Sequence, residues 1–155
     1  MFKEIKRNDR ALPEEEMFDI MNRVEYGVLS TIGDDNYPYG VPVNFVFFED
    51  HIYFHCALQG HKLENIDHNS KVSFCVVADV SLLPDKFSTK YRSVISFGTA
   101  SEVTDPVKRK QVFVKILKKF SRDFMEEGMR YIEASGAMTK LYQIEVSHMT
   151  AKGRK

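Results

Sequence analysis

One segment in the first half of the chain carries residue types that are suited to binding an anion. Residues 55–62 read HCALQGHK, which predicts the end of a strand, a loop of small residues and the start of a helix at Gly60. The free N–H groups and partial positive charge of a helix N-terminus favour anions. Gly60 allows close approach of a ligand, and Lys62 supplies a mobile cation for a phosphate. The segment therefore indicates a phosphate site, although the same pattern is commoner as ordinary surface structure.

The elements around this segment are predicted to be mostly short strands. Apolar runs bounded by turn residues predict strands at residues 26–32, 39–48, 51–56, 72–80, 93–98 and 141–146, the first three as a meander with hairpin connections. Helices are predicted from Pro13 to about Asn22, from Gly60 to about Asn69, and after Pro106, where the apolar spacing continues through Phe113, Ile116, Leu117, Phe120 and Phe124. The fold class is therefore mainly β with inserted helices, with about six antiparallel strands in a closed or nearly closed barrel.

The alternation of side chains along residues 51–56 singles out one histidine. Ile52, Phe54 and Cys56 share one face of the predicted strand, and His51, Tyr53 and His55 share the other. One face must pack into the barrel. We therefore expect His55, on the other face, to lie in a polar environment or to contact a ligand.

Length and charge restrict the classes of function. The chain has 155 residues with 22 Lys and Arg against 22 Asp and Glu, which predicts a single domain over residues 1–155. Zero net charge gives no general attraction to nucleic acid or to an anionic membrane. No apolar run approaches the ~20 residues that span a bilayer, and the N-terminus lacks a signal-peptide core. Cys56 and Cys75 lie in apolar runs, so we expect buried thiols in a cytoplasmic protein.

Other kinds of site have weaker support in the sequence. The spacing of His55, His61 and His68 matches no compact zinc pattern, so no metal site is expected. A Cys–His nucleophile pair is disfavoured because His55 and Cys56 are strand neighbours that point apart. Ser30 and Ser93 have no evident base for hydrolase chemistry. The basic helix after Pro106 is expected to be a solvated face opposite a packed one, not a nucleic-acid site.

Five motifs in order resemble the FMN-binding split barrels related to pyridoxamine phosphate oxidase, especially the nitroimidazole-resistance branch. They are residues 7–10 (RNDR), 26–30 (YGVLS), 38–43 (PYGVPV), 53–62 (YFHCALQGHK) and 93–98 (SVISFG). The closing residues 149–152 (MTAK) are similar to the family's C-terminal pattern, with Ala151 where a glycine is usual. Most of the chain from residue 7 to residue 98 is covered. The resemblance implies a split β-barrel homodimer that holds FMN in a cleft between protomers.

The resemblance also implies roles for individual residues. Lys62 and His61 would meet the FMN phosphate, helped by Gly60 and the helix start. The remaining positions would line the isoalloxazine cleft: Val41, Pro42, Val43, Asn44, His55, Cys56 and Ala57, with Ser93 able to reach the flavin of either protomer. His61 stands where the family usually has lysine or arginine, and a histidine is charged only near or below its pKa of ~6.5. Tyr39 or Tyr91 could form the edge of the cleft.

The activity implied is that of an FMN-dependent oxidoreductase that reduces a small acceptor, with a nitroaromatic as one candidate and NADH or NADPH as a possible donor. In such proteins the flavin carries the electrons and the protein supplies binding, orientation and electrostatics. No residue is required by the sequence to act as an acid or base. His55 is the candidate for contacting substrate or tuning the flavin. The alternative is a carrier or sensor that binds flavin, haem or deazaflavin without turnover.

Overall fold

The strands dominate the structure, a computed structural model that describes residues 1–154. Within this range seven strands form one antiparallel sheet. Their bounds are β1 Tyr26–Ile32, β2 Pro38–Asn44, β3 Val46–Phe48, β4 His51–Cys56, β5 Lys71–Leu83, β6 Ser88–Glu102 and β7 Lys140–Arg154. The prediction of a mainly β fold with inserted helices is confirmed, with one strand more than the six expected.

Four α-helices connect or cover these strands within the described range: α1 Glu14–Arg23, α2 His61–His68, α3 Pro106–Phe120 and α4 Met125–Ser135. Helix α3 begins where a proline at the first position predicts it, and the Asp105 carboxylate accepts the Lys108 backbone N–H at 2.8 Å. It ends before the last predicted position, because the backbone of Ser121 leaves the helical region. Phe124 therefore lies in a separate 3-10 turn and is exposed, so its assignment to this helix is wrong.

The strand order differs from a meander. In the sheet the order is β2-β1-β5-β6-β7-β4-β3. β1 and β2 form one hairpin and β3 and β4 form another, as predicted, but β2 and β3 lie at opposite ends of the hydrogen-bonded order. The long strands β5, β6 and β7 join the two hairpins. The predicted meander is wrong because local pairing fixes each hairpin but not which strands lie beside it.

Phe45 explains why the run predicted as one strand is two. It separates β2 from β3 and is 1% exposed, with its ring packed edge-on against Phe74 at 5.0 Å. Its carbonyl oxygen accepts a hydrogen bond from Nζ of Lys119 at 2.9 Å instead of pairing with a neighbouring strand. The chain therefore turns at this residue and joins the two ends of the sheet.

Lys119 provides a test of this junction through the pH dependence of stability. Burial lowers its pKa to about 8, which the nearby Glu25 carboxylate opposes. Between pH 8 and 10.5 the unfolded chain therefore binds more protons than the folded one, so this residue makes stability rise with pH. We expect Lys119→Met to reduce the increase in the free energy of unfolding over this pH interval by about 1–3 kcal/mol, since one pKa unit corresponds to about 1.4 kcal/mol. Urea denaturation of both proteins across this interval measures the difference.

The control for this measurement is Lys118→Met, which changes the exposed neighbour of Lys119 on the same helix. The other ionisable groups are the same in all three proteins, so their contributions cancel in the comparison. Parallel curves for the wild type and Lys119→Met would contradict the assignment of the rise to this lysine.

Two apolar clusters stabilise the two sides of β4. Ile52, Phe54 and Cys56 pack inside the barrel, as predicted. Tyr53 on the opposite face is only 1% exposed, because α3 covers it with residues such as Phe113. Both faces are therefore packed at Tyr53. His55, further along the second face, is exposed and remains accessible to solvent or a ligand, as expected.

A further sheet surface carries exposed apolar side chains. On the side of β1, β5 and β6 away from the barrel interior, Val28, Val77 and Ile95 are 37%, 52% and 38% exposed. We call this surface the outer face; its central residues are Tyr26, Val28, Cys75, Val77, Ser93 and Ile95. Cys75 is half-buried there, so the prediction of a buried thiol is confirmed only for Cys56. Within residues 1–154, no helix has the length and apolar character needed to cross a bilayer.

Candidate functional site

The N-terminus of α2 is open to solvent and to a ligand. Gly60 is its N-cap with a φ of 152°, a conformation that side-chain-bearing residues rarely adopt, and a Cβ there would meet nothing within 4 Å. Its carbonyl accepts the N–H groups of Leu63 and Glu64 at 2.9 and 3.1 Å. The N–H groups of His61 and Lys62 precede these bonds and have no intrahelical acceptor. Among the described residues, no side chain caps them. This end of α2 can therefore accept an anion.

The end of β1 holds α2 in place. Asn65 is buried, and its Nδ2 donates to Oγ1 of the buried Thr31 at 3.0 Å. At Gly33, just after β1, a Cβ would lie 2.4 Å from Oδ1 of Asn65, so any other residue would displace this buried side chain. Leu63 and Ile66 bury the apolar side of the helix in the barrel core. The position of the α2 N-terminus thus depends on a hydrogen bond between residues 34 positions apart, which the sequence pattern does not reveal.

The side chains around this helix start are cationic and aromatic. The ring of His61 packs against that of Tyr39 at 4.0 Å between centroids, which brings the start of β2 to the same place. Lys62 is half-buried and forms no ion pair with any residue in the range 1–154. Glu64, in the first turn, is exposed and is the acidic residue that opposes an anion here. The sequence left open whether Tyr39 or Tyr91 forms the edge of the cleft, and Tyr39 is the one that contacts His61 at the start of α2.

The predicted flavin strand presents its residues alternately. Val41 and Val43 pack against the barrel core, whereas Pro42 and Asn44 are exposed on the other side. Nδ2 of Asn44 donates to the Glu25 carbonyl at 3.1 Å, which holds this side chain against the start of β1. Because β2 is at one end of the sheet order, its outer edge offers unpaired N–H and C=O groups. A ligand along β2 would therefore meet backbone groups, Pro42 and Asn44, and not the valine side chains.

The three residues at the end of β4 differ in environment. His55 and Ala57 are exposed, and Cys56 is buried. Partial desolvation by the surrounding protein lowers the pKa of His55, which favours the neutral ring, and a neutral ring can donate or accept a hydrogen bond. Burial raises the pKa of the Cys56 thiol, which the charges of Lys62 and Lys140 oppose. His55 can thus contact a ligand, while Cys56 is an inert thiol that supports the loop.

Ser93 lies in a different pocket of the same chain. It is 8% exposed, on the outer face of β6 opposite Val77 and Lys152. It lines a cavity of about 300 Å³, whose other lining residues are Ile5, Lys6, Arg7, Ile95, Thr150 and Lys152. None of these comes from β2, β4 or α2. Within one chain the structure therefore does not bring Ser93 together with the other predicted site residues.

The histidines that invited a metal hypothesis do not converge. Within residues 1–154, no group of three His, Cys, Asp or Glu side chains is arranged to hold a metal ion. His61 packs against Tyr39, and His68 is exposed at the far end of α2.

Residues 13–153 match the sequence model of the pyridoxamine 5'-phosphate oxidase family. The chain belongs to this family. The match covers nearly the whole chain and includes β1 to β7, so the family membership extends to the inserted helices α3 and α4. No curated protein matches by sequence.

Solved structures agree with this assignment at the level of the fold. A putative 5-nitroimidazole antibiotic resistance protein from Bacteroides thetaiotaomicron has a TM-score of 0.74 at 19% identity, over 91% of this chain and 84% of its own. An FAD-binding protein from Mesorhizobium loti has a TM-score of 0.70 at 18% identity, over 94% of this chain and 98% of its own. HutZ, the haem storage protein from Vibrio cholerae, has a TM-score of 0.68 at 16% identity, over 90% of this chain and 94% of its own. The pyridoxamine 5'-phosphate oxidase family member described here is therefore a split β-barrel.

Proposed function

We propose that the protein binds FMN, with the phosphate at the N-terminus of α2. The observation that carries this proposal is the open backbone at Gly60 beside Lys62, a half-buried lysine with no ion pair in the described range. A dianionic phosphate fits this donor set, because it can accept the free N–H groups of His61 and Lys62 and pair with the ammonium. His61 adds a donor whose ring is held by Tyr39.

In this proposal the isoalloxazine lies along β2 and the end of β4. The edge of β2 offers backbone donors and acceptors from Val41 to Asn44, and His55 and Ala57, at and just after the end of β4, are exposed. When bound, the flavin supplies electron or hydride transfer. The neutral His55 ring supplies a hydrogen bond to the ring system or to the substrate, and Cys56 supports the loop from the core side.

We further propose that the working unit is a homodimer formed through the outer face. Val28, Val77 and Ile95 are exposed at nearby positions of the outer face, and Leu82, close to the hairpin between β5 and β6, is 73% exposed. Exposed apolar side chains grouped on one sheet face are typical of an interaction surface. Ser93 lies on this face, so in the proposal it serves the flavin held by the other protomer.

We infer that the activity is FMN-dependent reduction of a small acceptor, with NADH or NADPH as donor. The likeness to a 5-nitroimidazole resistance protein makes a nitroaromatic the first acceptor to test. The likeness to a haem storage protein supports a second candidate, a haem carrier in which the exposed, neutral His55 could bind iron.

The absorption spectrum of the purified protein tests the cofactor. Flavin bands support the proposal, whereas a Soret band, or colourless protein that FMN cannot reconstitute, overturns it. If flavin is present, anaerobic bleaching by NADH or NADPH, followed by reoxidation with metronidazole, tests turnover. Absence of bleaching with both donors would favour the carrier.

A further inference from the structure

A groove of about 680 Å³ lies between α3, α4 and the start of β7. Its lining is largely apolar and includes Phe113 on α3 and Met129 and Ile132 on α4. Leu58, in the loop that joins β4 to α2, forms the end of the groove and is 38% exposed. This volume lies in the range of small-molecule sites.

One wall of the groove is held rigidly by Arg109. Its Nη2 donates to the carbonyls of Gly136 and Thr139 at 3.0 and 2.9 Å, and its Nη1 reaches the Val103 carbonyl at 3.4 Å. The guanidinium also lies 5.4 Å from the Phe113 ring centroid. These contacts tie the turn before β7 to α3, so the groove is preformed. All these partners are uncharged, and Arg109 forms no ion pair with any residue in the range 1–154.

The other charges at the groove favour a single negative charge on its occupant. Lys140 is paired with Glu102 at 3.7 Å. Lys110 and Glu133 are exposed and form no ion pair with any residue in the range 1–154. Two uncompensated cations, Arg109 and Lys110, thus face one uncompensated carboxylate. The groove therefore complements a molecule with an apolar body and one acidic group.

The groove adjoins the anion site at the start of α2. Lys140 lies opposite Cys56 in the pairing of β7 with β4, and the charges of both Lys140 and Lys62 act on the Cys56 thiol. Leu58 belongs to the four-residue loop between Cys56 and His61. The groove and the α2 N-terminus therefore both adjoin this short loop. Leu58 directly follows Ala57, the residue after β4 beside which the isoalloxazine is proposed to lie, so a molecule in the groove would be near the ring end of the proposed flavin as well as its phosphate.

We propose that this groove binds the small-molecule substrate, an aromatic compound carrying one acidic group, with Lys110 contacting the acid and Leu58, Phe113 and Met129 contacting the ring. The substrate role rests on the proposed flavin function. The binding site itself does not.

Calorimetric titration of the purified protein with 4-nitrobenzoate and with the uncharged 4-nitrobenzamide tests the proposal. We expect the acid to bind at least tenfold more tightly than the amide. Lys110→Glu should remove this preference, whereas Lys118→Glu, an exposed lysine on α3 that does not line the groove, should keep it. Met129→Trp, which fills the groove, should lower the binding affinity of both compounds at least tenfold.

Equal binding of acid and amide to the wild type would overturn the proposal. So would equal effects of Lys110→Glu and Lys118→Glu in variants whose circular dichroism is unchanged. Flavin content, measured from the absorbance of each sample, distinguishes the two proposals. If the acid binds more tightly than the amide but no flavin is present, only the flavin function is contradicted. If flavin is present but acid and amide bind equally, only the proposal of a substrate site in the groove is contradicted.

Discussion

Lys62→Ala is expected to weaken FMN binding by about 10- to 100-fold, because a charge-assisted hydrogen bond to a phosphate contributes about 1.5–3 kcal/mol. Lys62 is the half-buried cation beside the open N-terminus of α2 and forms no ion pair in the described range. Removing it leaves the phosphate with the helix N–H groups and His61. Quenching of flavin fluorescence during titration of FMN into the flavin-free protein measures the change.

Two comparisons make this result specific to the phosphate. Riboflavin, which lacks the phosphate, should bind the wild type and Lys62→Ala equally. Lys118→Ala, which removes an exposed lysine far along α3, should leave FMN affinity unchanged. Unchanged FMN affinity in Lys62→Ala, at unchanged stability in urea, would show that the phosphate binds elsewhere.

Ile95→Glu is expected to convert the proposed dimer to monomer, raising its dissociation constant at least 100-fold. Ile95 lies in the central strand β6, between Cys75 on β5 and Thr150 on β7, and is 38% exposed in the single chain. A carboxylate at this position would be buried without a partner when two outer faces meet, which costs several kcal/mol. A hundredfold change corresponds to about 2.8 kcal/mol. Sedimentation velocity across micromolar concentrations measures it.

The matched control is Val107→Glu on α3, because Val107 is 78% exposed and lies away from the outer face. It should remain dimeric. If the flavin site is shared between protomers, Ile95→Glu should also lose FMN affinity, since Ser93 is then no longer supplied by a second chain. A wild-type monomer that retains flavin would contradict both the dimer and the shared site.

The local parts of this fold follow from local patterns. The strand at Tyr26–Ile32 and the helix at His61–His68 have the bounds that turn residues, alternation and helical spacing predict. Phe45 is the instructive exception. It continues a β-rich apolar run, yet its burial against Phe74 and the hydrogen bond from Lys119 turn the chain there. Phe74 and Lys119 are far from Phe45 in the sequence, so these contacts produce no periodic pattern of apolar residues from which the break could be predicted.

The sequence by itself determined the fold class, the family resemblance and the open helix start at Gly60–Lys62 for which anion binding is proposed, because strand alternation, glycine conformation and helix starts depend on neighbouring residues. Only the tertiary structure decided that Tyr39 packs against His61, that Ser93 occupies a separate pocket on the outer face, and that a groove behind Leu58 adjoins the same loop. Each of these joins elements that are far apart along the chain. Their meeting depends on the strand order and on how the sheet curves, which local patterns do not encode.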